Sequence, residues 1–299
     1  MSLPLNYLVV LAVWSTTPLA IVWSSESFDP MAAGGFRLLI ALVVILVIRP
    51  MLSAPALDFK TNWKAYLVSA IGLYPGLALV YWAAPLLPSS LISVIFGLAP
   101  FFVMGINALV FGQRDSTVAQ VLAVVLAFVG LAVLLGSENN GGNFSYLGLV
   151  FIILAVSCYA LSTLLVKTYA MEMHVLNLLT GSMSIATPLY LLTWLIDGGS
   201  LPATPSIKAI LAILYLAIIG SVFAYIAYFY LLKRLSATVV SFIPMITPAI
   251  AVILGITLNG EHLGGQMLFG VLLIMLGIWI YQFLGARKVR PQAGTTATG

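Results

Sequence analysis

The residues of this chain that could do chemistry are mainly aromatic and hydroxyl side chains set inside apolar runs. Trp14, Ser15, Thr16 and Thr17 follow one another near the middle of the first run. Tyr74 and Tyr81 lie seven apart, which places them on one face of a helix, with Trp82 beside the second. Ser157, Tyr159, Ser162 and Thr163 cluster in a later run, and Ser221, Tyr225 and Tyr228 follow at i, i+4 and i+7. Surface against lipid gains nothing from these hydroxyls. The set is therefore expected to line an inward cavity and to stack on or hydrogen-bond a solute; bonding between packed helices is the other use for each hydroxyl. Ser241 joins the candidate lining.

Arg37 is the one ionisable residue placed clearly inside an apolar run, about two turns into the second. A charge at membrane depth is costly, and so it is a functional candidate. It could pair with a solute carboxylate or phosphate, snorkel to headgroups, or cap a carbonyl of another helix. Pro100 and Pro248 each fall midway along a run, with Pro244 one turn before the latter. A mid-helix proline frees the carbonyl one turn earlier, which hydrocarbon tolerates only against protein or water. These prolines point to a central site, or else they kink packed helices.

Other machinery is missing. No Asp or Glu falls in the middle third of a run, so proton coupling is not indicated, although Glu261 could take part. His174 and His262 sit at opposite ends of the expected helices, and Cys158 is the single cysteine, so neither a metal site, a disulfide nor a cofactor site is expected. A membrane-embedded enzyme would need a constellation that is not visible.

What positions these residues follows from composition. Of 299 residues, 62% are hydrophobic and 7% charged, against roughly 25% charged in soluble domains. Such a chain cannot make a wettable surface, which excludes a soluble enzyme, a nucleic-acid binder and a disordered protein. The expected class is an all-α integral membrane protein. At about 20 residues per span plus a short loop, the length gives ten helices: Leu5–Trp23, Met31–Ile48, Tyr66–Leu87, Ser89–Phe111, Thr117–Leu135, Leu147–Val166, His174–Ile196, Lys208–Leu231, Ala237–Leu258 and Gly264–Leu284. The first has no basic leader and does not read as a cleavable signal.

With the N-terminus inside, cytoplasmic links hold Arg49, Lys60, Lys64, Arg114, Lys167, Lys233, Arg234, Arg287, Lys288 and Arg290, against Lys208 outside. That bias predicts both termini in the cytoplasm. Gly97-Leu98-Ala99-Pro100 and Gln113 lie on Met245-Ile246-Thr247-Pro248 and Glu261 at an offset of 148, which Gly72 and Gly220 share. Gly130 and Gly277 each sit late in the last helix of a half. The expected organisation is a duplication: a five-helix repeat over 1–140, an inverted one over 141–284 and a polar tail over 285–299. Five spans per copy reverse the second copy in the membrane, the architecture of alternating access.

Trp14-Ser15, Asp29-Pro30 spaced to Arg37, Pro100 to Gly112, Leu235-Ser236-Ala237, Pro248, Gly260-Glu261 and Gly270 to Gly277 resemble the EamA-type transporters of the drug/metabolite transporter superfamily. The resemblance covers nearly the whole chain and departs from the family pattern at Gln113, where that pattern usually has Glu. It implies ten helices in two repeats, export or exchange of small metabolites such as amino acids across the inner membrane, and a cavity lined by helices 1, 3, 4, 6, 8 and 9, with 5 and 10 packed away. The expected partners are a small solute and lipid, not nucleic acid, in a monomer or homodimer. Alternatives are a lipid-intermediate flippase, with headgroups near Arg37 and a lateral opening, and, further off, a membrane enzyme, a receptor or a channel.

Overall fold

The structure, a computed structural model, describes residues 2–52, 54–110, 112, 117–135, 145–262 and 264–283, without the side chains of 135, 241, 244, 245, 282 and 283. Arg114, Gln113, Arg287, Lys288, Arg290 and the tail lie outside the described residues, as do the side chains of the candidates Ser241 and Pro244. The described chain is helical throughout, without a strand. Its helices are α1 (Leu3–Ser25), α2 (Pro30–Ile48), α3 (Phe59–Ala83), α4 (Ser89–Val110), α5 (Val118–Leu135), α6 (Tyr146–Tyr169), α7 (Val175–Ile196) and α8 (Ile207–Arg234). α9 is built from Ala237–Ser241 and Ile243–Asn259 about Phe242, and α10 is Gly265–Phe283. Seven are long and apolar enough to cross a membrane, and α5, α9 and α10 present shorter apolar stretches.

Local chemistry sets the ends. The Asp29 carboxylate accepts from the Met31 and Ala32 amides at 2.8 and 3.2 Å, with Pro30 in the first turn, so α2 begins there. Asp58 caps the Thr61 amide at 3.1 Å, which starts α3 seven residues before the expected Tyr66. Ser206 and Ser236 cap α8 and α9 in the same way. Gly260, at φ 61°, closes α9 in the left-handed conformation that glycine adopts freely.

Contacts between helix ends sort them onto two faces. On one face, Lys208 and Glu26 pair at 2.7 Å, Trp23 donates to Asn259 at 2.8 Å, and Glu261 meets the start of α4. These join the C-terminal ends of α1 and α9 to the N-terminal ends of α4 and α8. On the opposite face, Arg49 beyond α2 donates to Asn177 and Thr180 of α7, and Lys233 donates to the Met173 carbonyl at 2.6 Å. Consecutive helices therefore run in alternate directions.

Three helices are interrupted near mid-length. In α3 the residue before Pro75 is pushed out of the helical region; Tyr74 is extended (φ −142°, ψ 119°), and a wide turn covers Gly72–Leu77. In α8 a similar wide turn covers Leu216–Phe223 around Gly220. α4 turns at Gly97-Leu98, just before Pro100, which lies near the start of a helical segment rather than at the centre of an unbroken one. A β-carbon on Gly97 would come 3.0 Å from Pro248, so the break in α4 packs against α9 at that proline. α5 and α10 form a separate seam, in which β-carbons on Gly130 and Gly277 would lie 2.7 Å from the carbonyl oxygens of Gly270 and Ala123.

Candidate solute-binding site

A cavity lies at the centre of the bundle. α1 contributes Trp14, Thr17, Pro18 and Ile21, α2 contributes Arg37, and α3 contributes Gly72, Gly76, Leu77 and Val80. The rest of the lining is Ile92, Ser93 and Phe96 of α4, Ala155 and Tyr159 of α6, Tyr225 of α8 and Thr247 of α9. Its volume, as space open to the centre of a water molecule, is about 90 Å³, or room for roughly six waters at about 15 Å³ each. The wide turn of α3 exposes Gly72 and Gly76 to this space, where the missing side chains leave backbone as wall.

Arg37 is 1% exposed. Its Nε donates to the Ser221 hydroxyl at 2.7 Å, an acceptor carried by the wide turn of α8, while its Nη1 has no hydrogen-bond partner. A β-carbon on Gly220 would stand 3.5 Å from Nη2, an ordinary contact, so Gly220 lies directly against the guanidinium. The Tyr81 hydroxyl lies beside Arg37 and Ser24 without completing a hydrogen bond. The Ser93 hydroxyl, also on the cavity wall, has no partner. Tyr159 sits close to the Thr163–Tyr228 pair but completes no bond of its own.

Aromatic rings close one side of the cavity. Trp14 packs on Tyr228 at 5.1 Å between centroids and on Tyr159 and Tyr225 at 6.0 Å. Tyr228 is held by a 2.9 Å hydrogen bond to Thr163, and Phe96 meets Tyr159 edge-on. Tilted and edge-on contacts of this kind suit the ring quadrupoles.

Of the candidates named from the sequence, Trp14, Thr17, Arg37, Tyr159 and Tyr225 meet on the cavity wall. Tyr228 backs that wall through Trp14, and Tyr81 backs Arg37. Tyr74 bonds Thr193 at 2.7 Å and, like Tyr81, packs on Tyr190. The extended Tyr74 breaks the helical register, so the two tyrosines are related through Tyr190 of α7 rather than by seven-residue spacing. Trp82 faces Phe151, and Ser162 donates to the Val68 carbonyl at 2.8 Å, tying α6 to α3. Pro100 and Pro248 are buried in helix packing beside the cavity, and Thr247 is the wall residue of that stretch.

Ser93 and Phe96 are additional wall residues, whereas Ser221, already read in the sequence with Tyr225 and Tyr228, serves as the acceptor for Arg37 rather than as wall. Ser93 had a readable signal, since it is a polar residue four before Gly97 in an otherwise apolar run. Pro75 likewise marked the break in α3.

A second polar cluster lies on the face where α1 ends. One Glu261 carboxylate oxygen accepts from the Ser89 amide and hydroxyl at 2.9 and 2.6 Å, and the other from those of Ser90 at 3.1 and 2.6 Å. Asn259 adds a donor at 3.1 Å. Burial pushes this carboxyl up, but the hydrogen bonds from Ser89, Ser90 and Asn259 together outweigh it and hold the group below the ordinary carboxylate range.

The chain is similar to known membrane transporters. The EamA-like transporter family matches the chain twice, over residues 4–136 and 146–282. The chain is 26% identical over 281 residues to an uncharacterised inner membrane transporter of Escherichia coli K12, covering 90% of this chain and 89% of that one. It is also 26% identical over 290 residues to a probable amino-acid metabolite efflux pump of Salmonella typhimurium LT2, covering 92% and 93%. A solved structure superposes with a TM-score of 0.71 at 18% identity, over 96% of this chain and 98% of that one, which is a likeness of fold.

Proposed function

This chain belongs to the EamA-like transporter family, and from that premise we propose that it moves small organic metabolites, amino acids and their derivatives among them, across the inner membrane by alternating access. The observation that carries this reading is the central cavity with partnerless polar atoms on Arg37 and Ser93 set among aromatic rings. A buried polar atom without a partner is costly. Here a solute would supply one, while Trp14 and Tyr225 would stack against its body.

Alternating access needs elements that pivot. The wide turns of α3 and α8, related by the Gly72 and Gly220 offset, are the hinges of this proposal. Glu261 is its latch on the face where α1 ends, since it ties the link after α9 to the start of α4. With both termini in the cytoplasm, as the basic residues indicate, that latch closes the outer side. The lateral groove between α1, α8 and α9 is lined by Thr16, Trp23, Tyr215 and neighbours and does not include Arg37, so it offers little to a flippase that reads headgroups there.

Proteoliposome counterflow tests the reading. Trp14→Ala and Tyr225→Ala should each cut exchange severalfold while the purified variants keep the wild-type melting profile. Undiminished exchange by both variants would remove the cavity from the transport path.

A further inference from the structure

Resting on the transport reading above, the charge balance of the cavity narrows its solute. Arg37 carries a full positive charge at 1% exposure, and among the described residues its partner is the neutral Ser221 hydroxyl, with Nη1 unbonded. Among the described residues no carboxylate lines the cavity. Of the eight acidic residues, Glu26 pairs with Lys208, Asp29 and Asp58 cap helices, and Glu261 is held by Ser89 and Ser90. Glu172 and Asp197 lie at the ends of α6 and α7, and Asp115 and Glu138 lie outside the described residues.

We infer that the solute is a small organic monoanion whose carboxylate docks on Arg37 Nη1 while its apolar body fills the cavity. A buried guanidinium without a counter-ion is unfavourable, and a carboxylate restores neutrality through charge-assisted hydrogen bonds. Ser93, bare and on the same wall, offers a further hydroxyl donor. Ile21, Val80, Ile92 and Phe96 offer no polar partner to the remainder of the molecule.

Two other charge types fit less well. A zwitterion brings an ammonium that finds no carboxylate here, and burying it unpaired opposes binding. A dianionic phosphate exceeds the single buried cation by one charge.

Matched probes separate these cases in the purified full chain, read by thermal stabilisation in detergent. Isovalerate and phenylacetate are the anions, isovaleramide and phenylacetamide their neutral amides, and valine and phenylglycine their zwitterions. The anions should bind at least about tenfold more tightly than either match, as expected for a hydrogen-bonded charge pair. Arg37→Gln should erase the preference, and Arg37→Lys should keep part of it. The wild-type comparison alone is decisive should the Gln variant fail to fold. Stabilisation by neither anion, or equal stabilisation by an amide or by a zwitterion, overturns the assignment; the last would mean that the aromatic faces hold an ammonium. Counterflow of valine without preference for isovalerate would sink this inference and leave transport standing. Tight isovalerate binding without counterflow of any probe would support it and sink the transport reading.

Discussion

Two charged residues near the ends of the bundle are held by buried polar partners, Arg49 in a link and Glu261 at the latch of the proposed transport cycle. Arg49, 8% exposed, donates to the Pro55 carbonyl at 2.6 Å and to Asn177 and Thr180 at 3.0 and 3.1 Å. It ties the link after α2 to the start of α7. Arg49→Ala would leave the buried Asn177 and Thr180 oxygens without this donor, and the expected loss is about 1–3 kcal/mol of stability, to be read from thermal or denaturant melting in detergent. Glu261 carries the pH dependence. Its folded-state carboxyl lies below the ordinary value of 4.5, so its contribution is present above that value and lost as pH falls through the lower, folded one. Melting measured from neutral pH to below 4.5 should show the wild type losing stability faster than Glu261→Gln, whose amide does not titrate. Parallel curves would show that the carboxylate contributes nothing to folding.

Most element types and boundaries could be read from apolar runs, because in a membrane each run must satisfy its own backbone as a helix. What the runs hid were the interruptions. The break in α3 followed from Pro75 and the extended residue before it. The wide turn of α8 contains no proline, and nothing but Gly220 distinguished it. Four of the wall residues, Trp14, Thr17, Tyr159 and Tyr225, could be identified as hydroxyls or aromatics inside apolar runs. Tyr74 and Trp82, expected on the cavity wall, lie instead against Tyr190 and Phe151, because the break changes which face α3 presents on either side of it. Arg37 was visible as a buried charge, whereas its acceptor Ser221 depended on how α8 turns. The α5–α10 seam gives a test at this scale. The β-carbon of any residue at position 130 would strike the Gly270 carbonyl, and one at 270 the Gly130 carbonyl. Gly130→Leu should destabilise by about 1–3 kcal/mol, as overpacking does, while counterflow per folded molecule stays near wild type because the seam lies away from the cavity. A folded variant with lost exchange would tie α5 and α10 into the transport motion.

At the scale of the whole molecule, α4 runs from the Glu261 cluster to the cavity. Ser89 and Ser90 hold the carboxylate, and Ser93, one turn further along the same helix, faces the cavity. Four donors from two adjacent residues fix the first turn of α4 as a unit, so releasing Glu261 should free the whole turn and open a path to Ser93. The chain has one cysteine, Cys158, so a Cys158→Ala background makes an introduced thiol the sole target. In that background Ser93→Cys is expected to label slowly with a membrane-impermeant maleimide applied from the side where α1 ends. Adding Glu261→Ala should raise the labelling rate severalfold from that side and leave the opposite side unchanged. Glu261→Gln should fall between the two, because an amide can accept from one serine but cannot hold both pairs of donors as a carboxylate does. The graded order distinguishes a latch from general loosening, which would raise labelling from both sides together. An identical rate in all three backgrounds would show that α4 stays closed without Glu261, and the gate would then have to be sought at the wide turns of α3 and α8.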